Sequence, residues 1–372
     1  MKLAVLKETA QGERRVAATP ETVRKFVALG ATMAVEAGAG LAASIADSDY
    51  EAAGASVAAR GEALGGADAL LGVQGPDPAA LAGAKAGALI VATLDPFRQR
   101  ERVDAYAAAG LEALALEFMP RITRAQSMDV LSSQANLAGY KAVLDAAAEY
   151  GRAFPMMMTA AGTIPAARVF VMGVGVAGLQ AIATARRLGA IVSATDVRPE
   201  TREQIESLGA KAVFAEGLAA VGAGGYAAEL TDEQKAQQAE LVSGHIAKQD
   251  IVITTALIPG RPAPRLISDA QVASMRPGSV IVDLAVEQGG NVEGSVAGEM
   301  AERHGVRIVG HRNVPSRLAA DASALYARNV YNFLSAFWDK EAGRVVLPDD
   351  DEIVRGVRLT QGGQVVSERL KG

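Results

Sequence analysis

The 372-residue chain has no cysteine, one tryptophan, three histidines and only 4% aromatic residues. Without cysteine there is no disulfide framework, no thiolate nucleophile and no thiolate metal site. No apolar run reaches the roughly 20 residues that span a bilayer, and the longest, such as 88–94, have the length of a buried strand. Charges at Lys7 and Glu8 end the first apolar stretch too early for a signal-peptide core. Positive charge is not in excess either. The 37 Lys and Arg against 42 Asp and Glu leave a net charge of −5, which argues against nucleic acid as a partner. These absences predict a cytoplasmic chain with no metal site, still free to dock on a membrane protein.

Scarce histidine also narrows the acid/base chemistry. His245 and His304 each precede an apolar strand and read as solvated helix-end residues. His311, in the Gly310–Pro315 stretch, follows a strand and is the one histidine placed to border a ligand.

What the chain does have is a repeating pattern. Short apolar runs (3–6, 32–35, 69–73, 88–93, 114–117, then 169–172, 191–195, 212–214, 251–255, 280–284 and 306–309) alternate with alanine-rich helical stretches. That alternation predicts α/β architecture with parallel sheets. Two long helices, about 134–150 and 321–338, bracket the second set of strands. The boundaries that follow are 1–133 plus 339–372 for one domain and 134–338 for a second, inserted one. In the tail, Thr360–Gln364 reads as a hairpin turn.

The strongest local signal is the strand Val169–Met172 followed by Gly173-Val174-Gly175-Val176-Ala177-Gly178 and a helix through about Leu188. In such a G-x-G-x-x-G turn Gly173 allows the tight turn and Gly175 lets the backbone, with Val176, approach a pyrophosphate. Gly178 lets helix pack on strand. The helix N-terminus offers free N–H groups and a positive dipole end to the phosphates. Asp196, eighteen residues beyond Gly178, ends the next strand at the spacing of a ribose-binding acid. A carboxylate there repels a 2′-phosphate, so NAD(H) is favoured over NADP(H). Arg198 is the contrary residue, though it can stack on adenine or touch the pyrophosphate without taking a 2′-phosphate. The fold class is therefore α/β: two Rossmann-like domains with parallel sheets, separated by a cleft and joined by two long helices.

Two further segments stand out. Met119–Asp129 is a polar stretch after a strand, at the end of the first domain. There Gln126 can bond a carboxamide as donor and acceptor, and Arg121 can pair with Asp129. It reads equally as a solvated loop with Ser132 or Ser133 capping the next helix. The glycine-rich segment 216–238 is either a surface excursion or a mobile lid.

Taken together, Arg121–Asp129 continuing through Tyr140, Arg14–Pro20, the fingerprint, Thr195–Arg198, Gly224–Ala227, Thr255–Gly260 and Asp283–Ala285 carry a specific resemblance along essentially the whole chain. The chain resembles the soluble NAD(H)-binding alpha component (domain I) of the proton-translocating transhydrogenases. The resemblance implies that Gln126 holds the nicotinamide carboxamide, that Arg121, Asp129 and Ser132 shape that pocket, and that Ile122, Thr123 and Arg124 lie beside it. It places Asp196, Val197 and Arg198 at the adenosine, Gly225 and Tyr226 on a closing loop, and Leu257 at the adenine side. It also implies a homodimer at the cytoplasmic face of the inner membrane. The partners implied are a membrane-spanning subunit and the NADP(H)-binding domain of a beta subunit. Hydride exchange of the Si-specific/Re-face type between NADH and NADP⁺ would be coupled to proton translocation.

Alanine dehydrogenase is similar in architecture, and the chain departs from it where acid/base work is done. That family has a lysine where this chain has Gln74, a catalytic histidine within the stretch Ala92–Pro96, and an aspartate where this chain has Glu287; Arg15 remains. Hydride passing directly between two nicotinamide rings needs no proton transfer at the reacting carbons. It needs approach to about 3–3.5 Å and exclusion of water. The rival expectations are a soluble dehydrogenase of the alanine type and an NAD-binding module without turnover.

Overall fold

The structure, a computed structural model, describes residues 1–198, 200–215, 232–258 and 260–371. Gly225 and Tyr226, expected on the closing loop, lie outside the described residues, as does most of the segment 216–238. The chain divides into two compact units, Met1–Gln134 with Pro315–Gly372, and Ala135–Val314.

The first unit is built on six parallel strands: β1 (Lys2–Val5), β2 (Thr32–Glu36), β3 (Ser56–Ala58), β4 (Ala69–Gln74), β5 (Leu89–Thr93) and β6 (Glu112–Ala115). Their order is β3-β2-β1-β4-β5-β6, the doubly wound arrangement. Successive side chains alternate between faces, and both faces are buried, which is why these strands read as continuous apolar runs. Leu3, Val5, Leu71 and Val91 enter one core; Ala4, Leu70, Ile90 and Ala92 enter the other. The strand β3 is only three residues long and carries no apolar run, so the sequence pattern does not reveal it.

The helix Pro20–Ala28 starts on proline, with the Thr19 N–H donating to Thr22 Oγ1 at 2.9 Å. The tail packs on β6: Leu359 N–H donates to the Ala113 carbonyl at 2.8 Å, and Thr360 Oγ1 donates to Leu111 O at 2.7 Å. It then turns back at Gly362 and Gly363, with φ of 58° and 80°, as a two-residue hairpin turn requires. The bracketing of the second set of strands by two long helices places the second of them in the nucleotide domain. In the structure that helix spans Ala319–Ala336, and its buried Tyr326, Val330, Phe333 and Leu334 belong to the core of the first unit.

The chain enters the second unit within the helix Val130–Glu149, which begins one turn earlier than expected from periodicity. A hairpin, β7 (Met157–Thr159) and β8 (Gly162–Ile164), precedes seven strands. These are β9 (Arg168–Met172), β10 (Ile191–Thr195), β11 (Lys211–Ala212), β12 (Ile251–Thr254), β13 (Val280–Asp283), β14 (Met300–Arg303) and β15 (Val306–Val309). Their order is β11-β10-β9-β12-β13-β15-β14, and all are parallel except β14, which pairs antiparallel with β15. The antiparallel edge departs from the expected all-parallel sheet. β14 reads Met-Ala-Glu-Arg and is largely exposed, so it lacks the apolar signal of a buried strand. The order reverses at β9, so the turn after β9 lies at the switch point where doubly wound sheets bind ligands. No helix among the described residues is long and apolar enough to cross a membrane.

Candidate functional site

The fingerprint glycines have the geometry their roles demand. Gly173 has φ of 101°, a left-handed value that glycine adopts without strain. A β-carbon on it would stand 2.5 Å from Thr255 Oγ1, whose hydroxyl donates to the Gly173 carbonyl at 3.0 Å. A β-carbon on Gly178 would lie 1.9 Å from that same carbonyl oxygen, so the helix Val176–Arg187 can rest on the turn only without a side chain. Gly175 is different: among the described residues nothing lies within 4 Å of where its β-carbon would be. It is the N-cap of the helix, with Val176 half-exposed beside it. A helix N-terminus, where the first N–H groups have no partner within the helix, fits a pyrophosphate.

Asp196 follows β10 and is joined to the fingerprint directly. Its Oδ2 accepts the Val174 N–H at 2.6 Å, while Oδ1 accepts the Arg198 N–H at 3.0 Å and Arg198 Nε at 2.9 Å. Burial pushes this carboxyl up, but the bonds from Arg198 and Val174 and the guanidinium charge outweigh it and hold the pKa below the usual carboxylate range. Val197 and Leu257 are exposed, offering apolar surface near the carboxylate and the Thr255 turn. Thus Gly173, Gly175, Val176, Gly178, Asp196, Val197, Arg198 and Leu257 are brought together at the carboxyl edge of one sheet. The site fits a dinucleotide: a phosphate cradle, a ribose acid and an apolar flank.

Sequence reasoning missed what holds this site. Asn291, fully buried, accepts the Ala256 N–H at 3.1 Å and donates to the Ala256 and Pro264 carbonyls at 2.9 and 2.8 Å. It clamps the turn that carries Thr255 and Leu257. Asp283 Oδ1 in turn accepts the Ala285 and Asn291 N–H groups at 2.9 and 3.2 Å. A β-carbon on Gly139 would stand 2.0 Å from the Ala177 carbonyl, so that glycine lets the helix Val130–Glu149 touch the first turn of the fingerprint helix. The sequence offers little signal for these contacts: Asp283 and Gly139 interrupt apolar stretches, while Asn291 sits in a polar, glycine-rich one.

The second group of expected site residues lies in the first unit. Thr123–Met128 forms a 3₁₀ turn with Ala125 and Met128 buried and Gln126 exposed. Its position is set by the Ser127 carbonyl, which accepts from Asn329 Nδ2 at 2.8 Å and Asn332 Nδ2 at 3.0 Å. The expected Arg121–Asp129 pair does not form: Asp129 instead caps the helix, accepting the Ser132 N–H at 3.0 Å and Ser132 Oγ at 2.5 Å. A free helix N–H three residues on is a nearer partner than a long exposed arginine. Arg121 is exposed, Thr123 is exposed and Ile122 packs against the core. Arg124 pairs with Asp351 at 2.7 Å, tying the turn to the tail.

Gln74 and the Ala92–Pro96 stretch, two of the positions expected to carry acid/base residues in a dehydrogenase, are also in this unit, while Glu287 lies in the second. The first two border a cavity of about 390 Å³ at the carboxyl ends of β1, β4 and β5, lined by Glu8, Gln74, Thr93, Leu94, Asp95 and Arg102, among others. Gln74 Nε2 donates to Glu13 at 3.0 Å, and Glu13 forks Arg15 at 2.8 and 2.6 Å. Burial works against the Glu13 charge, yet Arg15 and Gln74 bring its pKa down to about 2. Two other carboxyls, missed by the sequence reading, each hold a pair of backbone N–H groups at a strand end. Glu8 accepts those of Val73 and Gln74 at 2.6 and 3.3 Å, and Glu117 those of Leu94 and Asp95 at 2.8 and 2.6 Å. Burial pushes both up to about 7. An acid directly after an apolar strand was the available signal.

Known proteins match this arrangement closely. The family model "Alanine dehydrogenase/PNT, N-terminal domain" matches residues 4–138 and "Alanine dehydrogenase/PNT, C-terminal domain" residues 142–368. An NAD(P) transhydrogenase subunit alpha chain of Rhodospirillum rubrum is 53% identical over 100% of this chain and 99% of its own length. A transhydrogenase crystal structure from Sinorhizobium meliloti superposes with a TM-score of 0.91 at 55% identity, covering 98% of this chain and 100% of that one. An L-alanine dehydrogenase structure superposes at 0.82 with 26% identity, covering 99% and 98%. The chain belongs to the NAD(P) transhydrogenase alpha-subunit family, within the alanine dehydrogenase/PNT domain families.

Proposed function

We propose that the chain is the NAD(H)-binding component of a proton-translocating transhydrogenase and exchanges hydride directly with NADP(H) held by a separate subunit. The observation that carries this reading is a pairing. A complete dinucleotide fingerprint with its ribose acid stands in a chain that carries Gln74 where a dehydrogenase has its lysine. An amide at neutral pH neither gives nor takes a proton. When bound, NAD(H) supplies the hydride-donating or hydride-accepting ring carbon.

The chain's own residues do the rest. The N–H groups after Gly175 take the pyrophosphate, and Asp196 takes the adenosine ribose. Val197 and Leu257 flank the adenosine, and Gln126 takes the nicotinamide carboxamide. Arg121, Asp129 and Ser132 shape the turn around Gln126, with Ile122, Thr123 and Arg124 alongside; Gly225 and Tyr226 cover the nucleotide. The same reading includes a homodimer, a membrane-spanning partner subunit that carries the proton path, and the NADP(H)-binding domain of a beta subunit. The name "subunit alpha" of the relatives supports partners of this kind. The chain would lie at the cytoplasmic face of the inner membrane.

The test is to mix the purified chain, NADH and an NADP⁺-loaded partner domain and follow NADH oxidation. Turnover that requires both proteins is expected. Alanine-dependent reduction of NAD⁺ by the chain alone would establish the dehydrogenase reading instead. NADH binding without any exchange would leave a binding module.

A further inference from the structure

Asp196 is not a bare carboxylate waiting for a ribose. Its side chain is 7% exposed, and both oxygens are already occupied. Oδ1 takes the Arg198 N–H and Nε at 3.0 and 2.9 Å, and Oδ2 takes the Val174 N–H and Arg198 Nη2 at 2.6 and 3.1 Å. The guanidinium therefore grips the carboxylate through two nitrogens while its own backbone N–H completes the ring. Arg198 Nη2 also reaches the Val174 carbonyl at 3.4 Å, which keeps the guanidinium beside the fingerprint turn. Each charge stabilises the other: Asp196 holds the Arg198 pKa above its ordinary value, with Glu200 adding a weaker push in the same direction.

A carboxylate oxygen accepts about two good hydrogen bonds, so a ribose diol gains access to Asp196 only as the guanidinium moves aside. Arg198 is 48% exposed, so the guanidinium has solvent to move into when a ribose takes its place. The arginine thus stands next to the ribose acid, the neighbourhood from which arginines take a 2′-phosphate in NADP-binding Rossmann domains.

We propose that Arg198 is a latent 2′-phosphate ligand kept neutralised by Asp196, so that the pair, rather than Asp196 alone, sets the preference for NAD(H) over NADP(H). This inference rests on the reading above that Gly173–Gly178 and Asp196 hold the dinucleotide. Asp196 repels the 2′-phosphate and also withholds the cation that would receive it. In a chain that works beside NADP(H) bound elsewhere, this double exclusion keeps the two nucleotides on their own subunits.

The experiment measures dissociation constants of the full chain for NADH and NADPH by nucleotide fluorescence, in the wild type, Asp196→Asn, Arg198→Ala and the double variant. Asparagine still accepts the Val174 N–H, and thermal unfolding checks that each variant is folded. With the carboxylate gone and Arg198 released, Asp196→Asn is expected to bind NADPH at least about tenfold more tightly than the wild type, with a steeper salt dependence. The double variant is expected to lose that gain. Arg198→Ala alone is expected to bind NADPH no more tightly than the wild type, because Asp196 still repels the 2′-phosphate. Equal NADPH affinities in Asp196→Asn and the double variant would overturn the proposal, as would tighter NADPH binding in Arg198→Ala alone. A wild-type chain that binds no NADH would defeat the dinucleotide-site reading itself, a result distinct from both.

Discussion

Gly175 and Gly178 stand three residues apart, and alanine at the two positions should separate binding from folding. A β-carbon on Gly178 would meet the Gly173 carbonyl oxygen at 1.9 Å and its carbon at 2.9 Å. A comfortable carbon–oxygen contact is about 3.3 Å, so the helix Val176–Arg187 must retreat by more than about 1 Å from the turn it rests on. Overpacking of this kind costs about 1–3 kcal/mol, while the helix propensity gained by alanine offsets only about 0.5–1 kcal/mol. At about 2–4 °C per kcal/mol for a unit of this size, Gly178→Ala should lower the melting temperature by several degrees.

Gly175→Ala behaves in the opposite way. Its φ of −78° and ψ of −167° suit any residue, and among the described residues the added methyl meets nothing within 4 Å. Stability should change by no more than about 1 kcal/mol, the scale of an N-cap substitution. The methyl does occupy the approach to the helix N–H groups. Losing a hydrogen bond to a charged phosphate, about 1.5–3 kcal/mol, weakens NADH binding roughly 10- to 150-fold. NADH fluorescence titration and a thermal melt on each variant check both halves. The reasoning is refuted if Gly175→Ala binds NADH like the wild type, or if Gly178→Ala melts at the wild-type temperature.

Three further outcomes follow from the same geometry. Asn291→Ala leaves the Ala256 N–H and two carbonyls without their buried partner, so urea unfolding should show a loss of about 2–5 kcal/mol together with weaker NADH binding. An unchanged midpoint would remove Asn291 from its clamping role. Glu8 and Glu117 titrate near 7 in the folded chain against an ordinary value of 4.5, so the folded chain holds protons that the unfolded chain has released between those values. Their contribution to stability therefore falls as pH rises from about 4.5 to 7 and then levels, each group losing at most about 1.4 kcal/mol for every tenfold drop in proton concentration. Glu13, lowered to about 2, adds stability as pH rises from 2 to 4.5. Urea midpoints at pH 5 to 8 should fall and flatten, and replacing Glu8 and Glu117 by glutamine should flatten the fall; a wild-type midpoint that climbs from pH 5 to 7 contradicts this. Gln126→Asn, on an exposed position of the 123–128 turn, should slow hydride transfer far more than it weakens NADH binding, and equal losses would remove Gln126 from the nicotinamide.

The fingerprint was legible because its glycines answer local backbone demands, a positive φ at Gly173 and a close approach at Gly178, that no other residue meets. The buried strands were legible for a similar reason, since both faces are covered and the apolar run is continuous. Features that depend on contacts distant in sequence were not. Nothing local says that Asn291 will clamp the Ala256 peptide or that Gly139 will touch Ala177. The second long helix has an apolar face that suits either unit, and only packing assigns it to the first. Arg121 and Asp129 looked like a pair by charge, but capping at Ser132 is closer. The hairpin β7–β8 and the edge strand β14 lacked burial, and with it the pattern that announces a strand.

The central claim is that hydride moves directly between two nicotinamides, a transfer that needs no proton at the reacting carbons and so tolerates the amide of Gln74 where a dehydrogenase has its lysine. The most direct measurement supplies NADH deuterated at the transferred position to the chain mixed with an NADP⁺-loaded partner domain, and analyses the NADPH by mass spectrometry. The account predicts that the deuterium appears fully in the NADPH formed. NADPH formed without the label, its hydrogen taken from solvent or another carrier, would contradict it.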